Sequence, residues 1–171
     1  MFPFPDAHLL PEIHVAAKTV LLAEGETVQK MFFIEKGSLR IWFNHDGKDL
    51  TTQFFFEGEA ATSLESFLYG EPSRFTVETM EDCRLRVFSK ADFDRALAQD
   101  PAFRDGFYQT ALQKLMVHSQ RLLSFIKNKP QERYRELVER EPHILQRVPQ
   151  QYIASYLGIT PISLSRIRHR K

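Results

Sequence analysis

Cysteine is nearly absent from this chain: Cys83 is the only one in 171 residues. That excludes an internal disulfide and any all-cysteine zinc or iron–sulfur site within one chain. Long apolar runs are absent too, and nothing approaches the ~20 residues of a membrane span. The opening MFPFPDAHLLPEIHVAAK has no basic start and no sustained apolar stretch. A secretory signal is therefore not expected, and a cytoplasmic location is. No nucleophile–base pair, phosphate-binding loop or carboxylate dyad stands out. A metal-dependent cupin would need two or three histidines and a glutamate around one ion. The strand-rich part of the chain offers His45 alone, in the turn Asn44-His45-Asp46-Gly47, while His8, His14 and His143 are isolated. A small cupin-like barrel enzyme is thus the rival class, and no catalytic or metal-binding residue is assigned.

Net charge is small, +1, but unevenly spread. From Lys127 onward 10 Lys/Arg face 4 Asp/Glu, an excess of six positive charges, while residues 1–126 hold 13 against 18. A basic end on an acidic body fits a nucleic-acid-binding terminus. The stretch Gln150–His169, QQYIASYLGITPISLSRIRH, supplies the pattern. Ile153, Ala154 and Leu157 fall on one face of a first short helix. Gly158 suits a helix stop that needs φ > 0, and Ile159 plugs the corner. Thr160 reads as an N-cap with Pro161 at the first helical position. Leu164 and Ile167 form the inward stripe of a second helix. This is a helix-turn-helix pattern, whose second helix enters the major groove. Its candidate DNA-facing residues are Gln150, Gln151, Thr160, Ile162, Ser163, Ser165, Arg166, His169 and Arg170. The plain alternative is a helical hairpin packed on a core.

Upstream, residues 1–17 are interrupted by Pro3, Pro5 and Pro11 and are expected to form a short helix or arm. From Lys18, Gly25, Gly37, Gly47, Gly58 and Gly70 recur at near-even spacing. Between them lie β-rich runs: TVLLA, KMFFIEKG, LRIWF and LTTQFFF, with further strands expected at Phe75–Thr79 and Cys83–Phe88. Asp46-Gly47 is a strong hairpin signal. Such spacing predicts a jelly-roll barrel, filled by Phe32, Phe33, Trp42, Phe54, Phe55, Phe56, Phe75 and Phe88. Cys83 is expected to pack in a strand rather than serve as a redox sensor.

Ser89 to Asp92 resembles a capping box opening a helix with Phe93 and Leu97 that ends near Asp100-Pro101. A long helix follows, Ala102–Lys127. Tyr108, Leu115 and Leu122 are seven apart, as are Ala111, His118 and Phe125, with Leu112, Ser119 and Ile126 one step on. This is a heptad-like dimer seam. Asn128-Lys129-Pro130 breaks the helix. Gln131–Glu141 reads as an amphipathic helix with Tyr134, Leu137 and Val138 inward. The expected domains are 1–101, a β-barrel; 102–129, the long helix and hinge; and 130–171, the helix-turn-helix.

This order of parts resembles the Crp/Fnr family of bacterial transcription regulators, and ITPISLSRIRHRK looks like its small Bacteroidetes-type branch. The resemblance implies an α+β protein: an N-terminal double-stranded β-helix barrel resembling a cyclic-nucleotide-binding domain, a dimerisation helix, and a C-terminal helix-turn-helix. The last would be a truncated winged helix, because the sequence stops at Lys171. It implies a homodimer, double-stranded DNA and RNA polymerase as partners, and an effector pocket formed by Thr62, Ser63, Ser73, Arg74, His118 and Ser119. In cyclic-nucleotide-binding members a Gly-Glu pair and an Arg-Ser pair hold ribose and phosphate. Here those pairs fall on Thr62-Ser63 and Ser73-Arg74, so the carboxylate is absent and the arginine is one place off, on the opposite face of a strand. Of the Thr-Ser that reaches the base, His118-Ser119 retains the serine. Cyclic AMP is therefore not the expected effector. The alternatives are a cyclic-nucleotide-responsive regulator using a shifted Arg74, or a nucleotide-binding regulatory subunit without DNA function. In the reading helix Arg166 matches a guanine-reading arginine, while Pro161 and Ile162 replace an arginine and a glutamate.

Overall fold

The computed structural model describes residues 10–169. These form two compact units: one comprises residues up to 43 together with 53–112, and the other comprises 44–52 together with 113 onward. Each is described separately.

The first unit is a two-sheet jelly roll. One sheet orders β1 (Glu12–Val15), β8 (Cys83–Ser89), β3 (Lys30–Lys36) and β6 (Ala60–Ala61). The other orders β2 (Val20–Leu22), β7 (Thr76–Thr79), β4 (Leu39–His45) and β5 (Lys48–Phe55). The pairings β1–β8, β3–β8, β3–β6, β2–β7 and β4–β7 are antiparallel. Alternation along the strands sends Ile34, Leu39, Ile41, Val77 and Leu85 into the core. Asp46 and Gly47, at φ 51° and 75°, turn β4 into β5, as a type I′ hairpin requires.

The expectation of a helix or arm over residues 1–17 is corrected at its C-terminal end. Glu12–Val15 is a strand paired with Arg86–Cys83. Pro11 ends before that pairing begins, and the four residues EIHV alternate exposed with half-buried positions. Residues 1–9 lie outside those described.

Gly37 shows why turns here need glycine. Its φ is 102°, and an added Cβ would stand 2.5 Å from the Cys83 sulfur and 2.9 Å from the Asp82 carbonyl oxygen. Cys83 itself is buried in β8 and donates to the carbonyl of Glu81 at 3.2 Å. Burial pushes its thiol pKa up.

Helices close the first unit with aromatic contacts. They are α1 (Leu64–Tyr69), α2 (Lys90–Gln99) and the first turns of α3 (Pro101–Lys127). The Ser89 hydroxyl accepts from the Asp92 amide at 3.1 Å and caps α2. Phe93 is fully buried, edge-on to Phe67, Phe103 and Phe107 at 5.2, 5.7 and 5.0 Å between centroids. Truncating such a ring costs about 3–5 kcal/mol. Across β1, β8 and β3, Arg86 bridges Glu12 at 2.6 Å and Glu35 at 2.7 Å. The hydrogen bond from Arg86, opposed by burial and helped by the charges of Arg86 and Arg84, holds the Glu35 carboxyl below the usual range.

The second unit contains the tip of the β4–β5 hairpin, the rest of α3, α4 (Pro130–Arg140), α5 (Pro142–Arg147), α6 (Gln150–Tyr156) and α7 (Pro161–His169). Its buried apolar side chains are Leu137, Ile144, Val148, Ile153, Ala154, Leu157 and Leu164, and Thr51 is buried with a polar side chain. The helix break falls at Asn128-Lys129, where the Glu132 carboxylate accepts from the Lys129 amide at 2.6 Å. Val138, expected inward, is 37% exposed. It stands one residue past Leu137, at the edge of the apolar stripe. The short α5 was not anticipated; Pro142 opens it and Ile144 anchors it.

Candidate nucleic-acid interface and barrel site

The angle between α6 and α7 is built as the pattern required. Ile153, Ala154, Leu157 and Leu164 are buried, and Ile159 and Ile167 are half-buried beside them. The single buried methyl of Ala154 lets α6 and α7 pack together. Gly158 turns the chain at φ 67°, and a Cβ there would meet the Phe125 ring at 3.0 Å. Thr160 Oγ1 accepts from the Ser163 amide at 3.1 Å and caps α7, with Pro161 as its first residue.

With its apolar side held this way, α7 presents the other side to solvent. Ile162, Ser165, Arg166, Arg168 and His169 are exposed, as are Gln150 and Gln151 at the start of α6. Ser163 is half-buried and shares a 3.0 Å contact with the Thr160 hydroxyl. Among the described residues no carboxylate pairs with Arg166 or Arg168, whose charges stay available. Arg170 lies outside the described residues. A groove of about 700 Å³ runs between α7 and the start of α4, lined by Ser163, Arg166 and His169 on one side and Lys129 and Gln131 on the other. Lys129 and Gln131 were not on the list drawn from the sequence. The signal that locates them is the Pro130 helix start, since helix N-termini attract anions and Lys129 adds a charge there.

In the barrel unit the nominated effector residues face differently from one another. Ser73 is buried, and its hydroxyl both donates to the Phe75 carbonyl at 2.7 Å and accepts the Phe75 amide at 3.1 Å. Its backbone ties the 25–26 turn through Gly25 and Glu26, each at 2.8 Å. Ser63 is buried at the start of α1 and its carbonyl accepts from Phe67 at 2.8 Å. Thr62 donates to the Lys30 carbonyl at 3.0 Å. Arg74 is exposed and reaches Glu65 at 3.4 Å, with its side chain 76% accessible. His118 and Ser119 are exposed on α3, in the other unit. Buried charge in the barrel unit is instead the Arg40–Glu78 pair, 2.6 Å apart and directly opposite on β4 and β7, with the guanidinium 4.9 Å from the Trp42 ring centre.

The family description of a cyclic nucleotide-binding domain matches residues 12–100. The chain belongs to the cyclic nucleotide-binding domain family. The matched span is the jelly roll with α1 and α2. No curated protein sequence matches this chain. Solved structures match over nearly its whole length. FixK2 from Bradyrhizobium japonicum is 17% identical with a TM-score of 0.81, over 94% of this chain and 83% of that one. The c-di-GMP-responsive global regulator CLP of Xanthomonas campestris is 15% identical with a TM-score of 0.75, over 94% and 86%. The Thermus thermophilus catabolite activator protein is 17% identical with a TM-score of 0.60, over 95% and 78%. The fold is therefore that of Crp/Fnr-type regulators, an N-terminal barrel followed by a C-terminal helical region. Within this cyclic nucleotide-binding domain, the one arginine beside the nominated phosphate position points to solvent.

Helix α3 carries the remaining nominated residues. Tyr108, Leu115 and Leu122 are 52%, 60% and 63% exposed, and Leu112, Met116, Leu123 and Ile126 are exposed with them. Phe125 lies at the border of exposure and Ala111 is half-buried. His118 is exposed as a residue, but partial desolvation of its ring, reinforced by the charges of Arg121 and Lys114, lowers its pKa. No described helix is long and apolar enough to cross a membrane.

Proposed function

We propose that the protein is a sequence-specific, DNA-binding transcription regulator of the Crp/Fnr type. It acts as a cytoplasmic homodimer joined along Tyr108, Ala111, Leu115, His118, Leu122 and Phe125 of α3. Residues 1–101 form the effector domain, 102–129 the dimer helix and hinge, and 130–171 the DNA-binding domain. The resemblance of ITPISLSRIRHRK supports a place in the Bacteroidetes-type branch, with RNA polymerase as its partner at the promoter. The observation that carries the reading is α7 itself: a capped helix, buried along one stripe, with Arg166, Arg168 and His169 exposed on the other and, among the described residues, paired with no carboxylate. Its N-terminal end enters the major groove, Arg166 reads guanine, and Arg168 and Arg170 hold phosphate. Lys129 and Gln131 extend the same positive surface to the flanking backbone.

The effector site does not take cyclic AMP. A cyclic phosphate desolvated in the barrel needs a cation. Support comes from Arg74, which spends its charge on Glu65 at the surface, and from Ser73, which is tied to its own loop. Exposure of the protein to a genomic DNA library, with recovery and sequencing of the bound fragments, tests the reading. Recovery of a shared pseudo-palindrome supports it; fragments without a common motif overturn it.

A further inference from the structure

Helix α6 ends with two carbonyls that its own hydrogen-bond ladder leaves open. Leu157, Gly158 and Ile159 donate to Ile153, Ser155 and Ala154 in turn. The oxygens of Tyr156 and Leu157 are the unmatched ones of a helix C-terminus. Arginines fill both places. Arg121 Nη2 on α3 donates to Tyr156 at 3.0 Å, and Arg133 on α4 donates to Leu157 from Nε and Nη2 at 3.2 and 2.8 Å. Arg121 also lies 3.6 Å over the centre of the Tyr156 ring.

Arg121, unlike Arg133, also engages the hairpin. Its Nη1 donates to the carbonyl of Thr52, on β5 at the base of the hairpin. The residue before Tyr156 meets the same hairpin directly. The Ser155 hydroxyl accepts the Thr51 amide at 2.8 Å and donates to the Asp49 carbonyl at 2.8 Å. Three backbone groups of the hairpin are thus satisfied by two side chains of the helical unit.

We propose that Arg121 and Ser155 are positioning residues that make the β4–β5 hairpin a working part of the DNA-reading unit. The hairpin's strands run without a break into the barrel's second sheet. Occupancy of the barrel that shifts β4 and β5 then reaches α6 through the hydrogen bonds of Ser155 and of Arg121 on α3. The coupling to DNA rests on the proposed function; the strap itself does not.

Amide hydrogen exchange on the full chain tests both. The variants are Ser155→Ala, which removes a hydroxyl on a helix, and Arg121→Lys, which keeps the charge and loses the fork. Without DNA, Ser155→Ala is expected to speed exchange of the Thr51 amide roughly five- to tenfold, the worth of about one hydrogen bond, with Ile153 and Leu157 unchanged. Arg121→Lys speeds exchange in the hairpin and at the end of α6 together. A purely structural role would raise exchange throughout the unit in equal measure, and equal rates at Thr51 in wild type and Ser155→Ala would overturn the strap. A random-sequence DNA duplex is then added at low salt, with binding followed by gel shift. Protection that spreads to Thr51 in wild type and stops at α6 in Ser155→Ala supports the coupling. A retarded band with no change at Thr51 in wild type overturns the coupling alone, and no retarded band overturns the DNA-binding reading while leaving the exchange result without DNA to judge the strap.

Discussion

Arg133 holds the carbonyl of Leu157 by two hydrogen bonds, at 2.8 and 3.2 Å, while its guanidinium lies 4.6 Å from the Phe125 ring centre and bonds the Asn128 carbonyl at 2.9 Å. One side chain thereby fixes the break after α3, the start of α4 and the turn of the helix-turn-helix. Charged hydrogen bonds of this kind are worth about 1.5–3 kcal/mol. Arg133→Ala should destabilise the second unit by about that much, read as a lower urea midpoint by far-UV circular dichroism, with the aromatic cluster around Phe93 keeping its near-UV signal.

The two classes of cation on α7 should separate in their effect on specificity. A bidentate arginine–guanine contact is worth about 1–3 kcal/mol of discrimination. Arg166→Ala should relax preference at one base pair per half-site in a selection experiment. Arg168→Ala or Arg170→Ala should weaken all duplexes about equally. Identical, sequence-independent losses in all three variants would remove Arg166 from its assigned role.

The α3 seam should make a dimer. Leu115→Glu places a charge among Tyr108, Leu112 and Leu122 and should yield monomers in light scattering at micromolar concentration. The fold of the helical unit should also depend on pH. Desolvation within the protomer lowers the pKa of His118 from 6.5, so the neutral imidazole is the form the native state prefers. That contribution is present above about pH 6.5 and is lost as pH falls through the lowered value. The urea midpoint should therefore fall over that window, and His118→Gln should flatten the dependence.

Isothermal titration with cyclic AMP and cyclic GMP should give no heat of specific binding. A low-micromolar dissociation constant for either would make Arg74 the first residue to mutate, because its pairing with Glu65 is the arrangement that would have to change.

Much of this architecture was readable from residue types. The glycine-punctuated strands, the Asp46-Gly47 hairpin, the Ser89 cap and the helix-turn-helix register each depend on a local rule of backbone geometry, and short segments carry such rules. What escaped depends on contacts distant in sequence. Glu12–Val15 becomes a strand because β8 offers it an edge, some seventy residues on. The two-residue β6 exists because Ala60 and Ala61 meet Phe33 and Phe32. Nothing in the local sequence sets Arg121 apart, and its two backbone partners lie on β5 and α6. For the site, α7 was legible because its exposed face is written in consecutive residues. Lys129 and Gln131 were not, since only folding sets them across a groove from Arg166.

The central claim is that this chain is a DNA-reading dimer, and salt-dependent binding tests it most directly. The duplex recovered from genomic selection is labelled, and its fluorescence anisotropy is followed as protein is added at rising salt. Two protomers should bind per duplex, with half-sites about one helical turn (~34 Å) apart. The logarithm of the binding constant should fall linearly and steeply with the logarithm of salt concentration, as each phosphate contact releases counterions. Binding that is absent at low salt, or that is insensitive to salt and monomeric, would contradict it.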